Sequence, residues 1–225
     1  MADLLECVEV ETDTAPVASV IWLHGLGADG HDFEPIVPEL RLPASLPLRF
    51  VFPHAPVRPV ALNNGMPMRA WFDLSKIGLH QPRDSAGMQA SRAAVEALIA
   101  RENQRGIAAN RIVLAGFSQG GAVALYTGLQ YREQLAGVMA LSTYLPIDEG
   151  FDFHLSATNA GAPVFYGHGT QDPVVPILLG EHTRNALTAL GCAVIWHTYP
   201  MPHSVCPEEV GHIRAWLLSV LLPSG

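Results

Sequence analysis

The feature that most constrains this chain is Gly116-Phe117-Ser118-Gln119-Gly120-Gly121, set between an apolar run at residues 111–115 and a segment of helical length that begins at Gln119. A serine on so sharp a strand-to-helix turn takes a strained backbone conformation, and only small neighbours avoid clashing with it. Gly116, Gly120 and Gly121 supply that smallness. In a chain with 20 glycines the pentapeptide alone arises by chance, so the weight rests on the strand before it and the helix after it. The turn also places Ser118 at the positive end of a helix, where N–H groups can receive developing negative charge.

Similar apolar runs, bounded by Gly, Pro or Asn, lie at residues 4–10, 19–23, 48–52, 137–141, 163–166 and 193–198, which makes seven strand candidates in all. Several are apolar without alternation, as expected of strands covered by helices on both faces. The clearest helix spans 85–103, where Met88, Val95, Leu98 and Ile99 recur at helical spacing, with Asp84 or Ser85 to cap its start and Gly106 its end. Others are expected at 119–131, 178–190 and 207–221, the last opening on Pro207, Glu208 and Glu209. Strand and helix alternate, which predicts an α/β fold with a mostly parallel central sheet of about seven strands and helices on both faces. The 225 residues fit one domain, since a single core grows to roughly 250 residues before it splits. The segment 54–81 breaks the rhythm: it is long, rich in Pro, Asn and Gly, yet carries Met66, Met68, Trp71, Phe72 and Leu74.

A formal net charge of −8 with no offsetting Lys/Arg run repels phosphate backbones and anionic headgroups, which argues against nucleic acid as a partner. Cys7, Cys192 and Cys206 are odd in number and widely spaced, so they suggest neither a disulfide framework nor a zinc site. Acidic Asp3, Glu6 and Glu9 stand where a signal peptide would carry positive charge. The longest apolar stretch, 215–222, is about half the ~20 residues that span a bilayer, so no stable membrane insertion is expected. These readings point to a soluble, cytoplasmic protein that needs no metal or cofactor.

A serine hydroxyl becomes a competent nucleophile when a neutral imidazole takes its proton and a carboxylate fixes that imidazole's tautomer. On a strand-turn-helix scaffold of this kind the partners follow in the order serine, acid, histidine. Of ten histidines, His203 follows the strand at 193–198 and precedes the last helix. His182 and His212 fall inside expected helices, His197 inside a strand, and His168 only four residues before Asp172, where it helps to shape that loop. Asp172 follows the strand at 163–166 in Gly167-His168-Gly169-Thr170-Gln171-Asp172-Pro173 and is preferred to the earlier Asp148 and Asp152, because its loop leaves the strand beside the one delivering His203. After the strand at 19–23 comes His24-Gly25-Leu26-Gly27-Ala28-Asp29-Gly30, whose main chain can approach a ligand closely; with the N–H of the residue after the serine it would form an oxyanion hole from Leu26 and Gln119. The same glycines spell G-x-G-x-x-G, but Asp29, Asp32 and Glu34 would face phosphates without basic compensation, which disfavours a dinucleotide.

Together these stretches, with Ala70-Trp71-Phe72-Asp73, Leu141-Ser142-Thr143-Tyr144-Leu145-Pro146, Val174-Val175-Pro176 and His203-Ser204-Val205-Cys206-Pro207-Glu208-Glu209, resemble the small carboxylesterases related to acyl-protein thioesterases and lysophospholipases. The resemblance implies an α/β-hydrolase fold and hydrolysis of carboxylic ester or thioester bonds through an acyl-enzyme on Ser118, with Asp172 and His203 completing the triad. It implies an acyl groove lined by Met66, Trp71, Phe72 and Leu74 of the long loop and by Val175, against the plain alternative that the loop residues only pack onto the body. The substrate would be a small or lipid-like acyl ester or an acylated protein, and relatives are often homodimers. Cys206 fits the same pattern as a buried structural thiol. The rival readings are a non-catalytic binding protein on the same scaffold and acyl transfer to an acceptor other than water.

Overall fold

The computed structural model describes residues 4–78, 84–145 and 152–222. In chain order its strands are β1 (Cys7–Glu11), β2 (Ala18–Leu23), β3 (Leu48–Pro53), β4 (Val57–Pro59), β5 (Pro67–Arg69), β6 (Ile112–Phe117), β7 (Gly137–Leu141), β8 (Pro163–Gly169) and β9 (Ala193–Tyr199). The helices are α1 (Ile36–Glu39), α2 (Ser85–Gln104), α3 (Gln119–Gly128), α4 (Ile177–Ala189) and α5 (Pro207–Leu221). Seven strands form one sheet in the order β1-β3-β2-β6-β7-β8-β9. All pairings are parallel except that of β1 with β3, where Cys7 stands opposite Pro53.

The unalternating apolar strands follow from what covers them. On one face Ile21, Leu114, Val138 and Tyr166 pack under Val95, Leu98, Val123 and Leu187 from α2, α3 and α4. On the other, Trp22, Phe50, Met139 and Phe165 pack under Val37 of α1 and Ile213, Trp216 and Leu217 of α5. Every residue of β2 is buried, as a central strand between two helical layers requires. Glu102 ties α2 to the sheet: fully buried, it accepts from Ser19 Oγ at 2.6 Å, Arg49 Nη1 at 2.8 Å and Arg105 Nη1 at 2.9 Å.

The winding reverses between β2 and β6, so the loops leaving the carboxyl ends of those strands face each other across a crevice, where open α/β sheets place their ligands. Those loops carry Leu26 and Ser118. Hydrogen bonds stitch the same edge together: Ser118 N–H donates to Leu141 O, Ser142 N–H to Gly167 O and Thr170 N–H to Tyr199 O, at 2.9, 2.9 and 2.8 Å.

Several elements differ from expectation. The first strand starts at Cys7 rather than residue 4, because antiparallel pairing begins only where Pro53 comes opposite. Helix α3 stops at Gly128, since the N–H groups of Gln130 and Tyr131 turn to the Thr127 and Gly128 carbonyls three residues back. The segment read as a loop contains the hairpin of β4 and β5, with Val57 opposite Arg69; three-residue strands ending and starting on Pro59 and Pro67 leave no period to detect. Its last residues, 79–81, lie outside the described residues, as do Pro146 and the alternative acid Asp148. Among the described residues no helix is long and apolar enough to cross a membrane.

Candidate active site

Ser118 sits at φ 53°, ψ −120°, a conformation that costs an L-residue on the order of 1–3 kcal/mol and persists only where packing enforces it. The packing here is backbone on backbone. A Cβ on Gly120 would stand 2.4 Å from the Leu23 carbonyl oxygen, and one on Gly116 would stand 2.3 Å from the Gly120 carbonyl carbon. No side chain fits either position, so α3 can start directly under the end of β2. Thr143 Oγ1 donates to Ser118 O at 2.6 Å, and Tyr166 Oη donates to Thr143 O at 2.7 Å, which holds the turn from its β7 side.

The acid and the imidazole come from adjacent loops. Asp172 Oδ1 accepts the N–H groups of Val174 and Val175, both at 2.8 Å, and Oδ2 faces His203 Nδ1 at 2.6 Å. A carboxylate only accepts, so Nδ1 carries the proton and the lone pair of the neutral ring sits on Nε2. The Asp172 side chain is fully buried behind His203, whose ring lies 4.7 Å from that of Phe117. His168, fully buried, donates from Nε2 to Val175 O at 2.8 Å and so braces the loop that presents Asp172. Burial lowers its pKa, which keeps that ring neutral.

The loop after β2 is pinned by the side chain of His24, the first residue of the glycine-rich motif, whose role no sequence pattern discloses. Its Nδ1–H donates to Gly25 O at 2.7 Å and its Nε2 accepts the Ala55 N–H at 3.0 Å, an arrangement only the neutral ring can make; burial lowers its pKa accordingly. Trp71 Nε1–H donates to His24 O at 2.9 Å. The Gln119 side chain accepts the Trp71 N–H and donates to Phe72 O, both at 2.8 Å. Among the described residues the main-chain N–H groups of Leu26 and Gln119 find no protein acceptor, and both residues line the crevice.

That crevice is a cavity of about 300 Å³. Ser118, His203, Leu26, Gln119, Phe72, Leu74 and Val175 stand on its wall. Asp172 lies one layer behind, through His203. Met66 and Trp71 do not line it. Met66 is 56% exposed at the end of the turn between β4 and β5, and Trp71 is wholly buried, its indole spent on the His24 carbonyl. Leu62, Ile77, Met88 and Tyr144 line the cavity instead. Of these, Tyr144 belongs to a motif noted in the sequence, and Leu62 and Ile77 flank the loop that supplied the expected lining.

A mostly parallel seven-stranded sheet wound about a crevice, with a serine at positive φ between a central strand and its helix, defines the α/β-hydrolase class. The profile of the Phospholipase/Carboxylesterase family matches residues 5–221. Acyl-protein thioesterase 1 of Cryptococcus neoformans is 38% identical over 98% of this chain and all of its own, and that of Mycosarcoma maydis 40% identical over 92% of each. Among solved structures, Arabidopsis thaliana SOBER1 superposes with a TM-score of 0.85 at 30% identity over 91% of this chain and 99% of its own. Zea mays acyl-protein thioesterase 2 gives 0.82 at 30% over 96% and 99%. The chain belongs to the phospholipase/carboxylesterase family. It is a carboxylic ester or thioester hydrolase.

Glu209 stands in the first turn of α5 and closes the stretch from His203 noted in the sequence. It is fully buried and, among the described residues, neither oxygen completes a hydrogen bond. Its carboxyl lies against the backbone of β8, where a Cβ on Gly167 would meet Oε1 at 2.0 Å. Burial, partly offset by the nearby Cys206 N–H, pushes its pKa from 4.5 up to about 8. The folded chain therefore keeps a proton that the unfolded chain releases above about pH 4.5, and stability falls as pH rises from there to about 8, by ~1.4 kcal/mol per unit. Glu209→Gln, which cannot ionise, should lack this decline. Urea unfolding across that window should show wild-type stability losing ground to the variant at that slope; parallel profiles would contradict a neutral buried acid.

Proposed function

We propose that Ser118, His203 and Asp172 act as a catalytic triad and that the N–H groups of Leu26 and Gln119 form the oxyanion hole. His203 Nε2 takes the proton as Ser118 Oγ bonds to the carbonyl carbon, and the carbonyl oxygen, now anionic, is received by the two N–H groups. Collapse of the tetrahedral adduct breaks the bond to the alcohol or thiol, which leaves with the proton from His203. Water, deprotonated by the same imidazole, then attacks the acyl-enzyme and frees the acid and Ser118. The observation that carries this reading is the Asp172–His203 contact of 2.6 Å, presented from loops that end on the same cavity wall as Ser118. The groups named and water suffice for every step.

The fungal relatives named acyl-protein thioesterase 1 and the family's description support the finer reading that the substrates are acyl thioesters on protein or lysophospholipids, with the acyl chain lying along Leu62, Phe72, Leu74 and Ile77. We further propose one catalytic domain over residues 1–225, placed in the cytoplasm, where Cys7, Cys192 and Cys206 stay as free thiols. A homodimer is supported by Val174 and Leu178, 43% and 72% exposed, with Val174 on the cavity wall.

Ser118→Ala should fold normally and lose turnover on the order of 10⁶-fold on p-nitrophenyl esters, together with labelling by a fluorophosphonate probe. Near-normal hydrolysis by that variant would sink the assignment. Sedimentation velocity should show a concentration-dependent dimer that Leu178→Glu converts to monomer; a monomer at every wild-type concentration would remove the dimer.

A further inference from the structure

Among the described residues, Asp32, Asp73, Asp84 and Lys76 are the acidic and basic residues other than His203 that line the cavity. Two of the acids are occupied in holding backbone. Asp73 accepts the N–H groups of Ala61 and Leu74 at 2.7 and 2.8 Å, and Asp84 accepts those of Gly87 and Asp73 at 2.8 and 2.9 Å while lying 3.6 Å from Arg58. Asp32 differs. Its own N–H closes a turn onto Asp29 O, but among the described residues its carboxylate accepts no hydrogen bond and lies in no ion pair. Asp32 is exposed at the cavity's edge; what burial it has, then the charge of Asp29, raises its pKa. The stretch from His24 to Leu40 holds Asp29, Asp32, Glu34 and Glu39 and neither Lys nor Arg.

The place of Asp32 in the cavity says which half of a substrate it meets. It precedes Phe33, whose ring lies 5.4 Å from Phe117, itself 4.7 Å from His203. We take this chain of rings, with Asp32 and His203 on one cavity wall, to put Asp32 on the imidazole's side. His203 must hand its proton to the departing oxygen or sulfur, so the alcohol or thiol part leaves on that side, while the acyl chain extends toward Leu62, Leu74, Ile77 and Met88. We propose that Asp32 is a specificity residue for the leaving group, and that it favours esters and thioesters whose alcohol or thiol part is cationic over neutral ones of the same shape. The proposal rests on the assignment of Ser118 and His203 above.

The test compares kcat/KM for octanoylcholine with that for its uncharged isostere, 3,3-dimethylbutyl octanoate, in wild type, Asp32→Asn and Asp32→Glu. A ratio of the two esters cancels any general loss of folded enzyme. At low ionic strength the wild-type ratio should favour the choline ester by about two- to fivefold, as a rim ion pair allows, and should shrink as salt is added. It should collapse toward unity in Asp32→Asn and be kept by Asp32→Glu. A parallel pair of S-octanoyl peptides, with lysines or serines flanking the acylated cysteine, tells a small ammonium alcohol from a basic peptide as the source of the charge. Equal ratios in wild type and Asp32→Asn, or no wild-type preference, would overturn the proposal. Turnover of the neutral ester that persists in Ser118→Ala would instead indict the nucleophile assignment.

Discussion

The site depends on one close approach. Helix α3 begins so near the end of β2 that the Leu23 carbonyl oxygen occupies the space a Cβ on Gly120 would need. With glycine there and at Gly116, the chain passes from strand to helix in a single residue, and that residue, Ser118, takes the strain of positive φ. The same approach brings the loop after β2 alongside the first turn of α3, so the N–H groups of Leu26 and Gln119 border one space. The positions of Ser118 and of the proposed oxyanion donors therefore follow from one packing constraint rather than from two independent loops.

Around that turn the fold arranges neutral and charged groups unequally. His24 and His168 are buried as uncharged rings and used as braces, one on the loop of Leu26 and the other on the loop of Asp172. Asp172 is buried too, but two backbone N–H groups and the His203 imidazole surround its oxygens. Glu209 receives no such set and holds its proton instead. The two buried acids thus differ in the donors each can reach. Asp32, without a hydrogen bond or ion pair among the described residues, is a third case, and its proposed role is to meet what enters the cavity.

Much of this was legible in the sequence because it rests on short-range rules. Unalternating apolar runs gave the sheet, since a strand buried on both faces has no polar side to show. The glycines around Ser118 and the chain order of acid and histidine located Ser118 and His203, which the structure brings to one cavity, and Asp172, which stands behind His203. What escaped depends on where side chains point. Trp71 and Met66 sit in a segment whose composition suits a groove, yet the Trp71 indole turns inward to the His24 carbonyl and Met66 turns outward to solvent. The hairpin of β4 and β5 is too short to carry a period. Nor does an acidic residue early in a helix disclose that Gly167 leaves a hollow for its carboxyl, because the two are 42 residues apart in the chain and adjacent only in space.

The central claim is that the acyl group passes through a covalent bond to Ser118. It is tested most directly by acid-quenching the enzyme during turnover of a slowly deacylating ester and reading intact mass and peptide maps. The account predicts a single adduct of the acyl mass on the peptide containing Ser118, formed and lost at rates consistent with turnover. An adduct on Cys7, Cys192 or Cys206 that turns over at the catalytic rate, or steady hydrolysis with no covalent species at any time, would contradict it.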